Sequence, residues 1–366
     1  MAATGSLTAI ERTAYRLSQN LRLGWFSAQY ALSRRFTEKI ALPEHLKAGM
    51  PSARVLTADR QELMARDLRN IEAGYYRLPH DLIENPAAAL RQSLAYFADL
   101  PNVNRRRRGA GDVQLAGDEA ERFPDYYRRA FHHQSDGYLS ETSARLYDYQ
   151  VEILFGGAAD AMRRQALVPI HHFLRERRIA ESRLIDIACG TGRFLTFVKD
   201  NYPRLPVTAL DISPYYVAEA RRNLAPWSRV EFVAGAIEAA DLPPASFDVA
   251  TCIYLFHELP ADLHAAAATA IASLLKPGGL CVFVDSLQRG DRPDYDALLE
   301  SFPLAFHEPY YADYLGQDLG CVFGDAGLVV EQTDLAYLSR VMVLRKTQKQ
   351  AASRRVGTSR RSPARQ

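Results

Sequence analysis

The run RLIDIACGTGRFLTFVKD at 183–200 constrains the fold more than any other part of the chain. It opens with a short apolar strand, Leu184–Ile187, broken by one carboxylate at Asp186. A turn follows at Gly190, Thr191 and Gly192, then a helical pattern with apolar Phe194, Leu195 and Val198. Strand, tight turn and helix in that order open a crevice at the carboxyl end of the first strand of an α/β sheet. Glycines lack the Cβ that would keep a ligand off the backbone. A dinucleotide site would need a third glycine, in G-x-G-x-x-G, and Leu195 stands there instead.

The next elements fall in the order such a sheet requires. Residues 206–210 read as a second strand closed by Asp211, a position from which a carboxylate accepts both hydroxyls of a ribose. Ile212 follows, placed to lie on an adenine face. Residues 213–224 read as a helix with Ser213 as N-cap and Pro214 at the first helical position. A third strand at Val230–Ala234 precedes Ala236 and Ile237. A fourth, at 247–254, precedes Phe256-His257-Glu258-Leu259. A helix over 263–275, a Lys276-Pro277-Gly278-Gly279 turn and a fifth strand over 280–285 come next. Residues 328–336 and 340–345 form a terminal hairpin.

The pattern D-x-A-x-G-x-G from Asp186 to Gly192 resembles motif I of the class I S-adenosylmethionine-dependent methyltransferases. The L-K-P-G-G turn is frequent in the same family, and the resemblance extends in order and spacing over about residues 145–346. Ala188 departs from the commonest form of motif I, as it does in the similar C-methyltransferases of quinone biosynthesis. The resemblance implies an α/β fold: a Rossmann-like, seven-stranded sheet, mostly parallel with the last strand antiparallel, behind a helical N-terminal domain. It implies S-adenosyl-L-methionine as cofactor. Ala188, Gly190 and Gly192 would then sit against its methionine part, and Asp211 and Ile212 against ribose and adenine. Asp186 would take hydrogen bonds from the glycine turn and face the cofactor ammonium. Ala236 and Ile237 would reach adenine through the backbone, since Ala236 lacks the acidic or amide side chain often found there. Tyr254 would contact the methionine part, and Tyr147 the cofactor carboxylate.

His257 lies beyond the fourth strand, where an imidazole titrating near neutrality suits a general base; it could equally cap the following turn. The polar, aromatic segment at 131–140 offers His132, His133 and Tyr138 as substrate contacts. Adjacent histidines do not face one site on a regular element, and no cysteine lies at ligand spacing, so no metal is expected. Arg163 and Arg164 are plausible carboxylate partners, with at least one of them expected on the surface.

A chain of 366 residues holds two or three domains. The reading divides it into a helical domain at 1–103 and a linker at 104–123 that carries Arg105, Arg106, Arg107 and Arg108. A helical lid at 124–180, the cofactor domain at 181–346 and a disordered basic tail at 347–366 follow. Helical stretches are expected at 36–42, 62–78 and 87–100. The formal net charge is +2, and without the tail the body is acidic, which argues against a specific nucleic-acid partner. No apolar run reaches the ~18–20 residues of a membrane span, the N-terminus lacks a signal-peptide pattern, and a cytoplasmic protein is expected.

By resemblance the activity is methyl transfer to a small-molecule acceptor (aromatic, quinone-like or lipid) by in-line displacement in a closed crevice. The alternatives are a non-catalytic cofactor-binding or scaffold protein on the same fold and an NAD-dependent oxidoreductase. The sequence leaves the oligomeric state open.

Overall fold

The computed structural model describes residues 7–82, 85–108, 120–129, 131 and 137–348. The amino-terminal part folds as α1 (Ala9–Phe36), α2 (Glu44–Gly49), α3 (Ala53–Glu72) and α4 (Pro86–Arg108). A capping box starts α1: Thr8 Oγ1 accepts from the Glu11 N–H, and the Glu11 carboxylate accepts from the Thr8 N–H. Then come α5 (Glu141–Leu154), α6 (Ala159–Arg164) and α7 (Leu167–Leu174). Ser140 caps α5 as expected, accepting from the Ser143 N–H at 3.1 Å. Gly156 and Gly157 follow α5 with φ of 58° and 87°, which side-chain-bearing residues avoid.

Three helical expectations change: the stretch expected at 62–78 ends at Glu72, the last residue of α3. Residues 37–42 are not helical: α1 stops at Phe36, Thr37 is extended, and the next helix starts behind Pro43. Arg105–Arg108 are not a loop but the last turn of α4, where cations meet the negative end of the helix dipole. Asn104 anchors that turn by donating to the Phe36 carbonyl, and Arg108 pairs with Glu38 at 2.8 Å. The expected tail lies almost wholly outside the described residues, as does most of the expected linker.

The remainder alternates: β1 (Leu184–Ile187), α8 (Arg193–Asn201), β2 (Val207–Asp211), α9 (Pro214–Asn223), β3 (Val230–Ala234), β4 (Phe247–Ile253), α10 (Ala261–Leu274) and β5 (Leu275–Ser286). It ends with α11 (Asp296–Phe306), α12 (Tyr311–Gly316), α13 (Leu319–Asp325), β6 (Leu328–Ala336) and β7 (Ser339–Lys346). The sheet order is β3-β2-β1-β4-β5-β7-β6, with β7 antiparallel to both neighbours. The Lys276–Gly279 turn stays inside β5, where pairing jumps from Phe247–Leu275 to Val249–Leu280. Strand order reverses between β1 and β4, so their following loops diverge and leave the crevice that such sheets use for ligands.

The N-terminal helices are fused to this sheet. Tyr15, Leu63, Leu68 and Ile71 share one apolar core with Leu184, Val207, Val249 and Val282. Buried charges cross the same seam, and these are costly unless paired. Asp67 of α3 receives Arg164 Nη2 at 2.6 Å and the Tyr76 hydroxyl at 2.6 Å. Arg22 of α1 pairs with Glu152 at 2.8 Å and Asp160 at 3.0 Å. Arg193, first residue of α8, pairs with Asp160 and with Asp81. Neither Arg163 nor Arg164 is on the surface; they are 4% and 3% exposed because carboxylates wait for both inside. No helix among the described residues is long and apolar enough to cross a membrane.

Candidate active site

The turn after β1 is left-handed at Ala188, Gly190 and Gly192, with φ of 56°, 54° and 75°. A Cβ on Gly192 would stand 2.9 Å from Leu224 Cδ1 and 3.2 Å from Ala220 Cβ, so this glycine lets α8 pack on α9. A Cβ on Gly190 would have no neighbour nearer than Tyr216 Cδ1 at 4.0 Å, so its absence opens the crevice floor. The Gly190 N–H donates to Asp211 Oδ2 at 2.8 Å, and the Ser213 N–H donates to Oδ1 at 2.9 Å. The glycine turn was expected to bond Asp186. Instead Asp186 accepts the Thr251 hydroxyl at 2.6 Å from the neighbouring strand, because the turn curls toward β2.

Burial pushes the Asp186 carboxyl up to about 7 and that of Asp211 to about 6. Neither has an ion-pair partner among the described residues. These two desolvated carboxylates share one hollow with Asp148, Glu258 and the guanidiniums of Arg163 and Arg193. That donor set fits an amino-acid nucleoside: carboxylate oxygens for an ammonium and for ribose hydroxyls, and an arginine for a carboxylate.

Asp186, Ala188, Gly190, Asp211, Ile212, Tyr138, Tyr147 and Tyr254 all line the hollow. Gly192, which packs against α9, does not, and neither do Ala236 and Ile237. Ala236 is the extended residue ahead of a short turn, and that turn drives Ile237 into the core on the other sheet face, with Ile185 and Leu210. Ser213 heads α9, but its hydroxyl donates to the Tyr138 carbonyl at 2.8 Å rather than capping the helix. Tyr138, Tyr147 and Tyr216 meet edge to face with ring centres 5.5–5.9 Å apart, and Tyr127 lies 6.0 Å from Tyr138. These rings leave about 90 Å³ of free space, below the ~300–1,000 Å³ of common ligand sites.

Behind the hollow lies a second cluster. His257 sits in the turn after β4 and is 8% exposed. Its Nδ1 lies 2.6 Å from Asp285 Oδ1, and the other Asp285 oxygen accepts the Phe256 N–H at 2.8 Å. His257 Nε2 is 3.8 Å from Glu258 Oε1, which also accepts the Tyr138 hydroxyl at 2.6 Å. Glu308 completes the group: one ligand atom each from His257, Glu258 and Glu308 lie within 4.8 Å of one another, a grouping able to hold a cation. Burial opposes the imidazolium, but Asp285, with help from Glu258 and Glu308, outweighs it and lifts His257 to about 9. Burial raises Glu258 to about 7, and Glu308 is raised well above the usual carboxylate range. His257 does not cap its turn; His264 Nε2 does that, against the Phe256 carbonyl at 2.8 Å. His132 and His133 lie outside the described residues.

Residues 184–279 match the family model of a methyltransferase domain. Those residues, from β1 to the turn inside β5, are what the chain shares with methyltransferase domains. It is 32% identical to the ubiquinone/menaquinone biosynthesis C-methyltransferase of Methylobacterium nodulans, over 43% of this chain and 62% of that one. It is 25% identical to the fatty-acid O-methyltransferase of Mycolicibacterium smegmatis, over 40% of this chain and 52% of the other. The chain thus spans less than two thirds of the length of these curated relatives. Human N-acetylserotonin methyltransferase, solved with its S-adenosylmethionine, matches with a TM-score of 0.45 and 16% identity, over 70% of this chain and 68% of that one. The donor set of the hollow suits S-adenosylmethionine, and Leu195, where the third glycine of a dinucleotide site would be, is fully buried core, which argues against the NAD alternative.

Sequence reasoning missed three residues of this methyltransferase site. Asp285 closes β5 as Asp211 closes β2, and that shared pattern, a carboxylate ending an apolar strand, could have found it. Thr251 is an ordinary strand threonine whose role appears only through register, since Asp186 and Thr251 are paired across β1 and β4. Glu308 follows α11 with no local signal.

Proposed function

We propose that this protein transfers a methyl group to an ionisable oxygen or carbon of a small acceptor, with His257 taking the acceptor's proton. The observation that carries the reading is the 2.6 Å contact between His257 Nδ1 and Asp285. It holds the ring so that Nε2 faces Glu258, which lines the cofactor hollow. A carboxylate behind a histidine fixes its tautomer and stabilises the imidazolium once the proton has moved.

Bound in the hollow, S-adenosylmethionine supplies an electrophilic sulfonium methyl. Asp211 would hold the ribose hydroxyls, Asp186 the ammonium, and Arg163 with Tyr147 the carboxylate. The tyrosines at 127, 138, 147 and 216 would exclude water and hold the reactants close, where positioning alone lowers the barrier. Closed as they are, these rings must swing outward to admit the cofactor, so residues 137–154 act as a lid. Glu258, carrying or releasing a proton near 7, would tune the charge beside Nε2. An aromatic, quinone-like or lipid acceptor fits the aromatic walls, and relatives acting on a quinone precursor and a fatty acid support that class.

The test is turnover to S-adenosylhomocysteine with fractionated cell extract as the acceptor source. We expect turnover by the wild type and its loss in His257→Ala, with cofactor binding retained. Binding of S-adenosylhomocysteine without turnover on any fraction would favour the scaffold alternative.

A further inference from the structure

A larger hollow of about 470 Å³ lies between the N-terminal helices, α5 and α11. Its volume is in the ~300–1,000 Å³ range of small-molecule sites. It shares the lining residue Tyr147 with the cofactor hollow. Ala305 and Phe306 of α11 form part of its wall, and two residues further on Glu308 enters the His257 cluster. One chain segment thus runs from this chamber to the proposed proton acceptor.

The wall is apolar over Ile40, Leu42, Leu100, Val103, Leu154 and Leu298. Its charges are one-sided. Arg34, Lys39, Lys47 and Arg107 line it against one acid, Glu38, and Glu38 is held by Arg108 Nε at 2.9 Å. Lys47 is taken by Glu44 at 2.6 Å, but Arg34, Lys39 and Arg107 have no acidic partner among the described residues. Arg107 is the unusual one. Its guanidinium lies 5.9 Å from the Phe306 ring centre, and Nη1 donates to the Glu38 carbonyl at 3.3 Å. Its Nε is buried without a hydrogen-bond partner. A desolvated guanidinium with an open donor is costly unless an anion completes it, and a carboxylate matches its fork.

We propose that this chamber is the acceptor site's specificity pocket, taking an amphiphile whose apolar body fills it and whose carboxylate pairs with Arg107, away from the atom to be methylated. This rests on the methyltransferase reading for the position of the reactive end. The carboxylate is an anchor rather than the reacting group, because the proton-accepting His257 lies outside the chamber's lining. An acceptor with no acidic group would leave Arg107 as it is now, desolvated and unanswered.

The probes are decanoate and 1-decanol, titrated calorimetrically into the full chain, with and without saturating S-adenosylhomocysteine. We expect wild-type protein to bind decanoate at least tenfold more tightly than the alcohol. Arg107→Gln should abolish that preference while leaving 1-decanol and S-adenosylhomocysteine affinities unchanged. Equal binding of the two probes by the wild type, binding of neither, or a preference that survives in Arg107→Gln would overturn the proposal. The wild-type comparison stands without any variant, so poor folding of Arg107→Gln does not blunt it. Failure of the cofactor reading would show separately, as absence of S-adenosylhomocysteine binding.

Discussion

The two sides of the crevice are built on different principles. The cofactor side is local: a glycine turn and carboxylates at strand ends, each within a few residues of the strand that aims it. The acceptor side is assembled from distant pieces. Tyr138, His257, Glu258, Asp285 and Glu308 meet within one cluster though they span some half of the chain. The first arrangement is dictated by backbone geometry and would survive many sequence changes. The second depends on the whole fold closing correctly, and there, in the function we propose, one side chain, His257, decides the chemistry.

If that contrast is right, the largest effect on turnover belongs to the assembled side. His257→Ala should lower turnover by about 10²–10⁴-fold, the usual share of a positioned base. Calorimetry with S-adenosylhomocysteine should find cofactor affinity little changed. A variant that turns over normally would remove His257 from the chemistry.

The seam beneath both sides should respond in stability. Asp67→Ala leaves Arg164 buried without its carboxylate and should cost about 3–5 kcal/mol, read by urea unfolding. A loss below about 1 kcal/mol would mean that water reaches the guanidinium.

On the local side, Asp211→Ala should weaken cofactor binding by about 1.5–3 kcal/mol and lower the melting temperature as well, since the Gly190 and Ser213 N–H groups lose their acceptor. Unchanged affinity would take Asp211 out of the site.

The smallest effects come from protons, and they run in opposite directions on stability and turnover. The folded protein favours the His257 imidazolium. Its stabilising contribution is therefore complete below about 6.5, the ordinary histidine value, and is lost as pH rises through about 9. Turnover needs the neutral ring, so it should climb between pH 7 and 9, and Asp285→Asn should move that rise to lower pH. Cofactor affinity should instead fall as pH drops through about 7 and then about 6, as Asp186 and Asp211 become neutral. A flat affinity from pH 8 to 5.5 would show that neither carboxylate meets the cofactor in its charged form.

What was legible in the sequence follows the same division. Every strand of the sheet, the motif turn and Asp211 could be read because period, glycine placement and strand-end carboxylates are short-range signals. Ile237 was misread because a one-residue change in turn direction sends a side chain through the sheet edge into the core. Arg105–Arg108 looked like a solvated run, since charge gives no helical period, yet the helix carries them as its final turn. Glu308 and the chamber were invisible: helices distant in sequence make them, and no window of residues contains their geometry.

The charge-paired seam has a meaning for descent as well as for folding. Arg22 and Asp67 on the N-terminal helices, with Asp81 in the connection between α3 and α4, answer Asp160, Arg164 and Arg193 on the body, as three keys answer three locks. A recombination that exchanged these helices for another cap would strand at least one buried ion unless the newcomer carried the same three charges. The matched family segment begins at residue 184, but the packed unit reaches back across that point to α1. If the chamber holds the acceptor, as proposed, a change of acceptor is reached far more readily by point substitution along its wall than by swapping the cap.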